Sequence, residues 1–237
     1  MPTIYGKNRD GTLSTTPNSL SWANARGFTG TATNTTTSST SDNAAVAVYR
    51  FSGRGADSFR IHRSFHYFDC TSITVTPVDA TLKIYITSDI GDSNIRVIKS
   101  TAFGLTANGS SPSDLAATDF DNVDFSTSYS DEVTVSGTGQ LSITLNSTAL
   151  SDMVSRDNLG LALVNSDYDY ANTSPTTFTS QAGIRYANYV GSSSDPQIEY
   201  TAGSTGYANT VLGVAASSYS KIIDVDKADI SKVIGVE

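Results

Sequence analysis

The stretch HRSFHYFDC, His62 to Cys70, holds both histidines of the chain and its only cysteine. His62, His66 and Cys70 follow one another at intervals of four, which on a helix would align them along one stripe as a soft-metal site. The flanking residues decide otherwise. Phe59, Ile61, Phe65 and Tyr67 share one parity, with Arg63 interrupting, while Arg60, His62, Ser64 and His66 share the other as far as Phe68. A period of two carried by aromatic and β-branched residues specifies a strand. Residues four apart on a strand lie about 13 Å from each other. Zinc ligands sit about 2.0–2.3 Å from the ion, so His62 and His66 do not share a metal. They are expected to be polar side chains turned outward, with Cys70 opening the turn "CTS" as a small space-filler.

The same period recurs on both sides of this strand. Residues 44–51 (AAVAVYRF), 82–87 (LKIYIT), 95–100 (IRVIKS), 140–146 (QLSITLN), 183–190 (GIRYANYV) and 196–201 (PQIEYT) read as further strands. Leu141, Ile143 and Leu145 alternate with Ser142 and Thr144, a half-buried pattern. Residues 159–165 (LGLALVN) are apolar on both parities and suit a central strand. Clusters such as SGRGADS, SDIGDSN and VGSSSDP separate these runs as turns. Two short helices are expected, one over 147–157 capped by Ser147 and one over 111–120 with Ser111 as cap and Pro112 at its first position. Residues 29–43, dominated by Thr, Ser and Asn, are expected to form an exposed loop. The expected fold is therefore all-β: an antiparallel β-sandwich with jelly-roll character over residues 1–203.

Composition supports this and narrows the partners. Only 16% of the 237 residues are charged, Glu occurs at 132, 199 and 237 alone, and the net charge is −8. Such a surface repels phosphate backbones and anionic lipid, so neither direct nucleic-acid binding nor membrane association is expected. A lone cysteine gives no internal disulfide. The opening MPTIYGKNRDG has no apolar core of a signal sequence, so secretion by that route is not expected.

Beyond residue 203 the texture changes. TVLGVAASSYS, KIIDVDKADIS and KVIGVE align at a spacing of eleven, so that Val211, Ile222 and Val233 correspond, as do Leu212, Ile223 and Ile234, and Val214, Val225 and Val236. Gly213, Gly235 and the β-branched density favour short extended pieces over a helical eleven-residue period. Two and a half copies are too few for a solenoid. Residues 204–237 are expected to dock on the sandwich, on a neighbouring subunit or on another protein through these nine apolar residues; the alternative is a frayed tail.

Chemistry-bearing clusters are few. DFDNVDF (119–125) and NSDYDY (165–170) offer oxygen ligands for a hard cation but lack the Gly and Glu that an EF-hand loop requires. No GxSxG, HExxH or GxxxxGK motif occurs, and no catalytic role or cofactor is expected. Trp22, Tyr168, Tyr170, Tyr186 and Tyr189 are candidate sugar-stacking aromatics, with Tyr168 and Tyr170 the favoured pair.

RSFHYFDCTSI (63–73), DATLKIYIT (79–87), DFDNVDFSTSYSDE (119–132), ITLNSTALSDM (143–153) and LALVNSDYDY (161–170) resemble a module of tailed-bacteriophage virion proteins, marine ones especially. The opening part also resembles the DNRLRE-type β-sandwich, a jelly roll akin to carbohydrate-binding modules. His66 stands where the phage pattern more often has an aliphatic residue, and "CTSI" where "TSSI" is commoner. The terminal "KVIGV" is similar to short repeats of the same phage proteins. The resemblance implies a non-catalytic virion component that decorates or stabilises capsid or tail. Its partners would be major capsid or tail proteins and, by analogy, further copies in a trimer. It would be made in the host bacterial cytoplasm. A carbohydrate-binding module that attaches the particle to host glycans is the alternative it leaves open.

Overall fold

The computed structural model describes residues 1–7, 11–16, 19–36, 43–52, 55–89, 91, 94–176, 181–187, 194–204, 221–222 and 225–226; side chains at 34–36, 43–44, 181–187, 221–222 and 225–226 lie outside that description. The chain opens with β1 (Thr3–Tyr5) and β2 (Gly11–Ser14), then α1 (Trp22–Arg26), β3 (Thr33–Thr36), β4 (Asn43–Phe51) and β5 (Ser58–Asp69). There follow β6 (Asp79–Asp89), β7 (Asn94–Ser100), a 3-10 turn at Ala117–Asp121, β8 (Val123–Ser128), β9 (Val133–Thr134) and β10 (Gly139–Thr144). Next come α2 (Ser147–Ser155), β11 (Asn158–Asn165), a π-helical turn at Ser166–Tyr170, β12 (Gln181–Ala187) and β13 (Gln197–Thr201). Two short strands, β14 (Lys221–Ile222) and β15 (Val225–Asp226), pair with each other in a sheet of their own.

The body is an antiparallel β-sandwich, as the alternating sequence leads one to expect, and the two longest strands hold it together. His62 of β5 lies opposite Ala47 of β4 and Ser14 of β2, and Ser64 opposite Leu163 of β11 and Thr12 of β2. A strand has two edges, so β2 runs along one and β4 gives way to β11 along the other. In β6, Tyr85 lies opposite Gln140 and Ala187, and Lys83 opposite Ser142 and Gln197. Thus β10 occupies one edge of β6, while β12 and then β13 share the other.

Two apolar clusters result. The first gathers Leu82, Ile84 and Ile86 of β6, Ile143 of β10, Val97 of β7, and Leu159, Leu161 and Leu163 of β11. The second lies on the opposite face of β5, β11 and β7: Phe59, Ile61, Phe65, Tyr67, Ile98, Ala162 and Val164, closed over by Ala25, Phe103, Leu115 and Phe120. Every residue of β11 is buried, in line with its double apolar parity. Each such Leu, Ile or Phe contributes about 1.5–3 kcal/mol by leaving water.

Local departures from expectation have local causes. The helix expected over 147–157 forms, but its cap is Asn146, whose side-chain oxygen accepts from the amides of Thr148 and Ala149, both at 3.1 Å. No helix spans 111–120. Asp119 instead accepts from the amides of Ala116 (2.9 Å) and Phe103 (3.0 Å), and Ser113 donates its amide to the Phe103 carbonyl (2.7 Å). Side-chain oxygens that satisfy the backbone in this way compete with a helix, and only the 3-10 turn 117–121 remains. The loop expected over 29–43 contains β3, paired with β2 from Gly11↔Thr36 to Ser14↔Thr33.

The outer helix α2 is tied down by Asp152, which accepts from Lys99 Nζ at 2.8 Å and from the Tyr129 hydroxyl at 2.5 Å. Burial alone would raise the Asp152 carboxyl, but these bonds and the Lys99 charge outweigh it and hold the group below its ordinary 3.8. Tyr129 is raised, first by burial and then by donating to this carboxylate. A carboxyl lower in the folded than in the unfolded chain adds stability above the unfolded value, and that stability is lost as pH falls through the folded one. Asp152→Asn is expected to lower stability at neutral pH by about 1–2 kcal/mol. In urea titrations its deficit should shrink as pH falls below about 4; a deficit that stays constant down that range would remove Asp152 ionisation as its source.

Candidate functional site

The histidines and cysteine of the opening stretch do not form a centre. His66 is fully buried, opposite Leu161 of β11, and Ser64 is buried against Thr12, their hydroxyls 3.0 Å apart. The expectation that this parity turns outward is therefore corrected: from Ser64 onward both faces of β5 are covered. Cys70 lies in the first apolar cluster, donating to the Phe68 carbonyl at 3.5 Å, and burial pushes its thiol up to about 12. It fills space and is far from thiolate chemistry. Among the described residues no three His, Cys, Asp or Glu side chains gather to hold a metal ion.

Arg63, the residue that interrupts the apolar parity, proves to be the most tightly held charge. It and Asp169 are both fully buried. Arg63 Nε donates to Asp169 Oδ2 and Nη2 to Oδ1, each at 2.8 Å, a two-pronged pairing. The remaining donors reach the carbonyls of Phe120 (Nη1, 2.9 Å) and Arg26 (Nη2, 2.8 Å). The guanidinium also lies 4.2 Å from the Phe120 ring centroid. Arg26 adds a bond from Nε to the Asp169 carbonyl at 2.8 Å and stacks 4.1 Å from the Phe125 centroid.

This pairing sets the surroundings of Tyr168 and Tyr170. They flank Asp169 in the π-helical turn, which Asn165 caps by accepting from the Tyr168 amide at 2.9 Å. Both rings are half-buried and pack against the second apolar cluster. Tyr170 lies beneath Arg96, 4.4 Å from the guanidinium carbon to the ring centroid, and 6.4 Å from Phe125. Trp22 sets its ring edge-on to Phe59 at 5.5 Å and donates to Asn172 Oδ1 at 3.2 Å. Tyr186 lies in β12 with its side chain outside the description, and Tyr189 is outside the described residues. Of the nine docking residues, Ile222 and Val225 stand opposite each other in the β14–β15 pair. Val211, Leu212, Val214, Ile223, Val233, Ile234 and Val236 lie outside the described residues.

A concave surface that sequence reading did not single out lies where the N-terminal strand meets the end of β5. It is a shallow groove of about 450 Å³ between Ile4–Lys7 and Asp69–Ser72. Its frame is fixed by the backbone: Gly6 bridges Phe68 and donates to the Pro196 carbonyl at 2.9 Å, and the Lys7 amide donates to the Tyr67 carbonyl at 3.4 Å. Lys7 Nζ sits 3.4 Å from Asp69 Oδ2, while Asp69 Oδ1 accepts from the Thr71 amide (3.1 Å) and hydroxyl (2.7 Å). The Thr71 hydroxyl bond is the main cause that holds the Asp69 carboxyl below its ordinary value, with the Lys7 charge adding to it. The pairing is invisible in sequence because 62 residues separate Lys7 from Asp69. No protein-family model matches the chain, and no curated protein matches it in sequence.

Proposed function

We propose that the protein is a non-catalytic structural component of a tailed-phage particle, its sandwich body presenting the segment 204–237 to neighbouring particle proteins. The observation that carries this reading is the β14–β15 pair. It is a ladder of two residues against two, in a sheet separate from that of the body. A two-stranded ladder of this size does not hold together in water without a surface to cover it. Ile222 and Val225, its inner pair, are two of the positions at which the eleven-residue repeat is apolar. The resemblance of the body to virion modules supplies the setting. The body's own chemistry fits a scaffold: Arg63, Asp169 and Cys70 are each occupied in packing or pairing.

Affinity on this reading comes from apolar and main-chain contacts, and the partners are capsid or tail proteins or further copies of the chain. Removing residues 204–237 should leave a soluble body that unfolds cooperatively, while incorporation into particles is lost. Particles assembled with the truncated chain at the wild-type copy number would sink the proposal. The copy number in purified particles, measured by quantitative mass spectrometry, separates a capsid position (hundreds) from a tail position (a handful).

A further inference from the structure

We propose that the groove between β1 and the turn after β5 binds the neutral pyranose end of a glycan. A pyranose has an apolar C–H face and a rim of hydroxyls that each donate and accept. The groove offers a counterpart to both. Tyr5 at its lip is 53% exposed, and with half-buried Ile4 it gives an aromatic and aliphatic surface for the C–H face. Lys7, Asp69, Thr71 and Ser72 line the other side.

The hydrogen-bonding arithmetic leaves capacity for a ligand. An ammonium has three donors, and among the described residues Asp69 takes one from Lys7. The carboxylate has about four acceptor sites, of which Thr71 fills two and Lys7 one. An acceptor on Oδ2 therefore stands beside donors on Nζ, the arrangement that adjacent ring hydroxyls satisfy together. The Lys7–Asp69 pair is solvent-accessible, with side chains 42% and 46% exposed, and an ion pair of that kind contributes little to stability. Sharing it with a sugar thus costs the fold little. The frame beneath is held in advance by the Gly6 and Lys7 backbone bonds, which limits the ordering cost of binding. The net charge of −8 selects neutral sugars over sialylated or sulfated ones.

This site is independent of the assembly role of residues 204–237, so particle incorporation and sugar binding are separate readouts. The test applies the labelled full-length chain to an array of neutral, sialylated and sulfated glycans. It then follows amide shifts by NMR on titration with methyl glycosides of glucose, galactose and mannose. Binding to at least one neutral glycan is expected, with shifts centred on Gly6, Lys7, Thr71 and Ser72. Tyr5→Ala should weaken it about tenfold, the scale of one aromatic contact. Tyr85→Ala, at an exposed tyrosine on β6, should bind as wild type. Equal thermal midpoints for the variants exclude unfolding as the cause, and Lys7→Ala gives a second loss at the polar wall. Retention of no neutral glycan, shifts centred on Tyr168 and Tyr170 instead, or wild-type binding by folded Tyr5→Ala would each overturn the proposal.

Discussion

Asp169→Ala is expected to lower folding stability by about 3–5 kcal/mol, because it strips a fully buried guanidinium of its counter-charge. Arg63 would remain among Phe120, Phe125 and the β5 core, holding only the carbonyls of Phe120 and Arg26. Arg26 sharpens the penalty. Its proton affinity is lowered first by burial and also by the Arg63 charge, while Asp169 opposes both. Without the carboxylate, two guanidinium groups face each other with no anion between them. Arg63→Lys should also be costly, by about 2–4 kcal/mol, since an ammonium cannot reproduce four bonds in a planar fork. Replacing both partners by apolar residues often restores stability to a protein with a buried ion pair. Here Arg63→Met with Asp169→Leu should still fall about 2 kcal/mol short of wild type, because two buried carbonyls lose their donor. Denaturant midpoints at neutral pH measure all three. An Asp169→Ala protein within about 1 kcal/mol of wild type would show that water reaches the pair, against its complete burial.

That pairing also shows where sequence reading stops. Alternation revealed β4, β5, β6, β7, β10, β12 and β13, and double apolar parity revealed β11, because those patterns record burial directly. It did not reveal β1, β3 or β9, and a segment such as Thr33–Thr36 (TNTT) has no apolar face to read. β3 is a strand because β2 offers it a backbone edge, and that is a tertiary fact. In β5 the period of two was right about the strand but could not show that covered layers lie on both sides, so Ser64 and His66 were expected outside and lie inside. Arg63 was a legible anomaly, a charge on an apolar parity, whose partner could not be named because 106 residues separate it from Asp169. The Asp-Tyr-Asp-Tyr run looked like a surface recognition loop for the same reason: its central aspartate is the buried one. The groove at Lys7 and Asp69 was illegible throughout, since only the Gly6–Phe68 bridge brings its two walls together.

Gly109→Ala is expected to cost about 3–5 kcal/mol, and a second glycine separates its two causes. Gly109 has φ +73°, in the left-handed region, and a Cβ there would lie 2.3 Å from the Asn158 carbonyl oxygen and 3.0 Å from its amide nitrogen. Gly137 has φ +80° with nothing within 4 Å of the added carbon. Gly137→Ala therefore reports the backbone term alone, about 1 kcal/mol. The excess at Gly109 reports the collision, which the backbone must relieve because no flexible side chain is in the way. It cannot do so cheaply. The Gly109 carbonyl accepts from Asn158 Nδ2 (2.8 Å), the Asn108 carbonyl from the Asp157 amide (2.9 Å), and the Ala107 carbonyl from Arg156 Nη1 (2.6 Å). These bonds fasten the segment that carries Ala102, Phe103, Leu105 and Leu115 into the second apolar cluster. Pushing Gly109 away from β11 thus loosens the cover of that cluster as well as one turn. Amide exchange at Asp157 should accelerate in Gly109→Ala and stay at the wild-type rate in Gly137→Ala. Equal costs for the two substitutions in urea unfolding would mean that the 106–110 turn does not close on β11, and the cover over Phe103 would then need another anchor.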